Sequence, residues 1–187
     1  MNAVEAVGAL LEAVPGALFV SSLGTATSAL RQASGDGPHL YLGGSMGCGL
    51  AVGLGVAERR PGREVVAVLG DGETLMGASA LWSLAGLRPG NLLVAVLADG
   101  HYTITGGQRL GGPPVFAAVA RALGLDAAVA DSVVGIADAA RTLPRPSVLE
   151  IRYDERTWPG PSPFVDPPVV RWRFEAEARR GEQPQSA

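Results

Sequence analysis

Two short apolar runs rich in β-branched residues, Val65–Leu69 and Leu92–Leu97, constrain this chain more than any other feature. Their length and composition suit strands buried on both faces, as in parallel sheets. Each stops at a small acidic cluster, Gly70-Asp71-Gly72 after the first and Asp99-Gly100 after the second. Between them Thr74–Leu87, apolar at Leu75, Met76, Ala80, Leu84 and Leu87, reads as the crossover helix joining two parallel strands. Ligands of open α/β sheets bind beyond the carboxyl ends of the strands. Asp71 and Asp99 are therefore expected at the same sheet edge, from neighbouring strand ends.

The remaining chain continues the alternation. Val4–Ala13 reads as a helix stopped by Pro15-Gly16, Ala17–Ser21 as a strand, and Ala26–Gln32 as a helix. After the turn cluster at 34–38, His39–Leu42 is a short strand. Gly43-Gly44-Ser45-Met46-Gly47 then opens a glycine-rich helix running to Arg60, which should pack closely against the sheet or a partner helix. Val115–Leu123 and Asp131–Arg141, the latter capped by Asp131 or Ser132, are expected helices, and Ala127–Ala130 and Ser147–Tyr153 expected strands. The expectation is an α/β fold: a doubly wound, mostly parallel sheet of about six strands with helices on both faces. It should form one domain over residues 1–153. Residues 154–187 read as a proline-rich arm around Trp158–Pro163, then a helix over Val169–Arg180. That helix carries Trp172 and Phe174 and is expected to dock on a partner; Gln183–Ala187 reads as a disordered end.

Composition removes several function classes. The formal charge is −3 with both signs interspersed, so no basic stripe offers itself to nucleic acid. No apolar run approaches the ~20 residues needed to span a bilayer. The start of the chain lacks the basic segment of a secretory signal. One cysteine, Cys48, allows neither an internal disulfide nor a cysteine-based zinc site, reads as a small buried residue, and suits a cytoplasmic setting.

Acidic oxygens beside turn glycines suit Mg²⁺, which takes hard oxygen ligands and shares them with phosphates. Glycines let backbone N–H groups approach those phosphates, and a following helix N-terminus favours the anion. The residues alone point to a Mg²⁺–diphosphate site, although Gly-Asp-Gly also serves as a plain turn with an N-capping Asp. Gly24-Thr25, at the end of the first strand, can present an N–H and a hydroxyl to a phosphate or act as an ordinary helix cap. A dinucleotide fingerprint fails on spacing, because Gly47-x-Gly49 is followed by Ala51-Val52.

The series Gly44-Ser45-Met46-Gly47, Gly70-Asp71-Gly72, Leu75-Met76, Asn91-Leu92 and Thr105-Gly106-Gly107-Gln108 resembles thiamine diphosphate (ThDP) enzymes. More narrowly it resembles the pyrophosphate-binding (PP) domain of sulfopyruvate and phosphonopyruvate decarboxylases, over about residues 17–153. The resemblance implies that Asp71, Asp99 and the main-chain carbonyl of His101 hold Mg²⁺. It implies further cofactor contacts from Gly24, Thr25, Gly70, Gly72, Glu73, Tyr102, Thr103 and Ile104. The Gly44 carbonyl, with Ser45, would receive the aminopyrimidine, and Met46 would wedge between the two rings to hold them bent; a Met at a helix start can also be core filler.

Four positions depart from that pattern. Glu73 stands where a Ser is usual, and its side chain is expected to turn away while its N–H serves the phosphate. Ala98-Asp99 replaces Asp-Asn, which adds a negative charge worth on the order of 4 kcal/mol at ~4 Å and an effective dielectric of ~20, before the metal offsets it. Thr105 stands where related decarboxylases carry a catalytic Glu, leaving His101 as a conceivable general acid or a non-catalytic contact. Residues 106–113 read as a flexible loop over the cofactor. The Glu that activates the pyrimidine belongs to a second, PYR-type domain, for which this chain has no room. The resemblance thus implies a separate PYR subunit and an anionic 2-oxo acid substrate. An acetolactate-synthase-like carboligase subunit, or a weakened ThDP-like structural subunit, would carry the same motifs.

Overall fold

A computed structural model of the protein describes residues 1–157, 159–161 and 165–180. In chain order its strands are β1 (Leu18–Ser21), β2 (Leu40–Tyr41), β3 (Val65–Gly70), β4 (Leu92–Ala98), β5 (His101–Tyr102), β6 (Gln108–Arg109), β7 (Asp126–Ala130) and β8 (Ser147–Arg152). Its helices are α1 (Ala3–Ala13), α2 (Gly24–Ser34), α3 (Gly49–Arg59), α4 (Asp71–Met76), α5 (Ala80–Leu87), α6 (Phe116–Ala122), α7 (Val133–Thr142) and α8 (Pro167–Ala178). No helix among the described residues is long and apolar enough to cross a membrane.

Six strands form one parallel sheet in the order β2-β1-β3-β4-β8-β7, the doubly wound α/β architecture expected. Side chains alternate across it, so each strand feeds two cores. Leu93, Ala95 and Leu97 of β4 pack with Leu10 of α1, Leu30 of α2 and Ile136 of α7. Leu92, Val94 and Val96 pack with Leu54 of α3, Leu84 of α5, Phe116 of α6 and Phe174 of α8. The chain leaves β1 towards β2 on one side and returns to β3 on the other. The winding reverses there, opening a crevice at the carboxyl ends of β1 and β3. Gly70 pairs with Leu97 and Ala98 with Arg152, so β3, β4 and β8 end level along that edge.

The crossover differs from the single expected helix. α4 starts three residues earlier, at Asp71, and a turn at 77–79 separates it from α5. Close packing explains the break: a Cβ on Gly77 would collide with the Gly47 carbonyl, so the two backbones touch only because both residues are glycine. Of the apolar positions that marked the crossover, Ala80 and Leu84 are buried while Leu75, Met76 and Leu87 face outward. The glycines of α3 divide by role. Cβ atoms on Gly49 and Gly53 would meet Leu69 and Ala67 of β3, whereas Gly55 faces open space.

Three other expectations change. Cys48 is exposed rather than buried, because it caps α3 immediately after the positive-φ turn at Gly47. Within the glycine-rich segment 106–113, Gln108–Arg109 form β6 and pair with β5 in a small antiparallel hairpin around a 3-10 turn, Thr103–Thr105, while 110–113 have no regular structure. The terminal helix turns Phe174 into this chain's own core and Trp172 outward. Arg63 pins that helix to the body, bonding from Nη1 to the Glu177 carbonyl (2.6 Å) and from Nη2 to its carboxylate (3.1 Å). The reading of Gln183–Ala187, and part of the proline-rich arm, lies outside the described residues.

Candidate functional site

The crevice collects residues from five chain segments: Leu23 and Thr25 after β1, Met46 before α3, residues 70–73 at the end of β3, the end of β4 with Asp99 to Thr105 after it, and Tyr153 after β8. Counting the space open to solvent at its mouth, it holds about 580 Å³. Of the expected site residues it brings together Thr25, Met46, Gly70, Asp71, Gly72, Glu73, Asp99, His101, Tyr102, Thr103 and Ile104. Gly24 lies just behind, at positive φ, in the first turn of α2 and against Ile104. Gly44 and Ser45 do not line the crevice; they sit on the exposed loop at its rim.

Asp71 is buried at the first position of α4. Its Oδ1 accepts from the Gly72 N–H and its Oδ2 from the Gly100 N–H, both at 2.7 Å. The second bond ties the end of β3 to the turn after β4. Burial pushes the Asp71 pKa up to about 6; the Asp99 charge adds to the rise, and the Gly100 and Gly72 N–H groups oppose it. The two carboxylates therefore interact, on the one sheet edge where strand register puts them. Asp99 accepts from the His101 N–H at 3.0 Å, and the His101 imidazole donates from Nδ1 to the Asp99 carbonyl at 2.7 Å. The bond from Leu110 N–H to the Gly100 carbonyl flanks the His101–Arg109 pair, which leaves the His101 carbonyl outside the hairpin ladder.

Glu73 does not point to solvent. Its carboxylate lies buried under the first turn of α3, where Oε1 accepts from the Gly49 N–H at 3.1 Å. Burial pushes its pKa up to about 6, against the Ser22 hydroxyl and the Gly49 N–H. The acid thus complements the positive end of α3. Tyr102 lays its ring over Gly72, where a Cβ would fall 2.5 Å from Cδ1.

One polar atom on the crevice wall, Thr25 Oγ1, is buried without a partner. Buried polar groups are normally paired, so orphans on a cleft wall mark where a polar ligand would complete the structure. Among the described residues no three His, Cys, Asp or Glu side chains cluster to hold a metal by themselves. Two carboxylates, one main-chain carbonyl and an unpaired hydroxyl instead suit a divalent cation that brings its own phosphate oxygens. Leu23, Leu97, Thr105 and Tyr153 also line the crevice, and Arg156 stands beside it, though the sequence reading named none of these as site residues. Tyr153 follows directly on β8, so the rule of carboxyl strand ends would have found it.

Comparison with known proteins agrees with this geometry. Residues 22–151, more than half of the chain, match the family described as thiamine pyrophosphate enzyme, C-terminal TPP binding domain. Phosphonopyruvate decarboxylase of Streptomyces hygroscopicus is 41% identical over 100 residues, 54% of this chain and 25% of that protein. A thiamin diphosphate-dependent enzyme from Mycobacterium smegmatis superimposes with a TM-score of 0.68 at 23% identity, covering 83% of this chain and 32% of the other. The thiamine diphosphate-dependent 4-hydroxybenzoylformate decarboxylase of Rhodococcus jostii RHA1 gives 0.67 at 21% identity, over 82% and 33%. The chain thus spans a quarter to a third of the length of these relatives.

Proposed function

Because the chain belongs to the family of C-terminal, cofactor-binding domains of thiamine pyrophosphate enzymes, we propose that it is the diphosphate-holding subunit of a ThDP- and Mg²⁺-dependent 2-oxo acid decarboxylase, acting on an anionic substrate such as phosphonopyruvate or sulfopyruvate and completed by a separate PYR-type subunit. The observation that carries this reading is Asp71 and Asp99 at one sheet edge, facing an unpaired Thr25 hydroxyl. The kinship to phosphonopyruvate decarboxylase supports the substrate class.

Bound there, ThDP would supply the electron sink for loss of CO₂. The chain's own residues hold and orient. Asp71, Asp99 and the His101 carbonyl would offer oxygens to Mg²⁺, and Thr25 with the start of α4 would receive the diphosphate. Met46, on the crevice wall, would face the cofactor's rings. The Tyr102 ring and Ile104 close the hairpin side against water.

A complementary subunit is supported by an uncharged outer surface. Neither residues 43–57 nor 74–87 include a charged side chain, and Met76 is 66% and Trp82 60% exposed. Met76 contacts the Gly47 turn, so this apolar face runs into the rim of the crevice. The test is CO₂ release from phosphonopyruvate and sulfopyruvate by the chain with and without a co-purified PYR-type subunit. Turnover confined to the complex is expected. Equal turnover by the single chain would overturn the two-subunit reading, and product formed only with an acceptor keto acid would reassign the chain to a carboligase.

A further inference from the structure

An aspartate at position 99 puts two buried carboxylates beside each other, and neither has an obvious reason to tolerate the other. Asp99 is only 6% exposed in its side chain, and its charge bears on Asp71. Yet the segment that follows β8 brings a cation to it: Arg156 Nε stands 3.9 Å from Asp99 Oδ2, with Arg156 itself 53% exposed. β8 ends level with β4, and four residues later the chain places Arg156 at the same edge. Tyr153, on that segment, is half-buried and directs its phenol at Asp99. Other nearby cations are committed elsewhere. Arg152 pairs with the buried Glu150 at 2.7 Å, and the His101 ring bonds the Asp99 backbone rather than its carboxylate.

Resting on the cofactor reading above, we propose that Arg156, assisted by the Tyr153 hydroxyl, is a positioning residue that neutralises the extra charge of Asp99 and so lets a carboxylate do the work of an amide at the metal site. Charge counting gives the same answer. A divalent cation, a diphosphate of about three negative charges and two carboxylates leave an excess of about three; the guanidinium brings it to about two, where an amide at position 99 would leave it. The His101 N–H, the Arg156 ion pair and the Tyr153 phenol together occupy three of the roughly four lone-pair sites of the Asp99 carboxylate, which leaves one for the ion.

The test is a double-mutant cycle of Arg156→Gln and Asp99→Asn on the full chain, with the complementing subunit where it co-purifies. It is read by titration calorimetry with ThDP and Mg²⁺ and by melting of the metal-free protein. Arg156→Gln is expected to weaken Mg²⁺-dependent ThDP binding on the order of tenfold in the native background. It should do nothing, or tighten binding, together with Asp99→Asn. Arg156→Lys should restore most of the loss. The metal-free melting temperature should fall with Arg156→Gln only while Asp99 is present. Equal losses in both backgrounds would show a merely structural arginine and overturn the proposal while the cofactor reading stands. Absence of Mg²⁺-dependent binding by the unaltered protein would overturn both.

Discussion

Replacing Asp71 by Asn should make the metal-free protein more stable while removing the use of the site. The Asp71 carboxyl has a folded pKa of about 6 against an ordinary 3.8, with burial as the main cause. A folded pKa above the unfolded one means that the folded state binds more protons between those values, so stability falls as pH rises from about 4 to 6 and the full penalty applies above. The gap corresponds to about 3 kcal/mol. An Asn resembles the protonated acid in charge and shape, and it keeps one oxygen for the Gly72 or Gly100 N–H. At pH 7–8 and without metal, Asp71→Asn is therefore expected to gain up to about 3 kcal/mol, or about 6–12 °C in melting temperature for a chain of this length. The gain should shrink towards pH 4. Circular dichroism melts in EDTA across that range measure it. A loss of stability at pH 7, or a gain that does not depend on pH, would refute the reasoning. With Mg²⁺ and ThDP present the order should reverse, because the unaltered protein alone gains binding energy.

Three further outcomes follow from the packing. Gly77→Ala should destabilise by several kcal/mol, on the order of 2–4, since its methyl meets the Gly47 backbone, whereas Gly55→Ala, facing open space in α3, should stabilise by about 0.5–1 kcal/mol; urea unfolding of the pair checks both. Thr25→Val removes a buried hydroxyl with no partner, so metal-free stability should hold or rise by about 1 kcal/mol while ThDP affinity falls about tenfold, read by melting and calorimetry. His39 is buried between Phe19 and Tyr41, and burial holds its pKa down to about 4, against the Glu177 charge. The folded state then binds fewer protons than the unfolded one, so about 3 kcal/mol present above pH 6.5 is lost as pH falls towards 4. His39→Phe should remove that slope from the pH dependence of unfolding.

The sheet was legible because its strands obey one rule throughout. Val65–Leu69 and Leu92–Leu97 are apolar on both faces and end in glycine and acid, a pattern that surface strands do not produce. The carboxyl edge carried Asp71 and Asp99 with it. What periodicity could not reveal were contacts between distant segments. Gly77 looks like a tolerated glycine within an apolar helix until Gly47 is seen against it, and only that contact splits the crossover and exposes Met76. Cys48 was misread for a related reason: its neighbours are small and apolar, but the Gly47 turn faces it outward. Glu73 looked like a misplaced acid beside a phosphate, and its inward turn depends on the Gly49 N–H twenty-four residues away. Tyr153 lay within reach of the strand-end rule, whereas Arg156 carried no motif and became visible only once the segment after β8 was seen beside Asp99.

The most direct measurement is calorimetric titration of ThDP into the protein with its co-purified subunit, in Mg²⁺ and again in EDTA. Saturable binding that needs the metal and vanishes with Asp71→Asn is the expected result. Binding indifferent to metal, or undiminished by that substitution, would contradict the account.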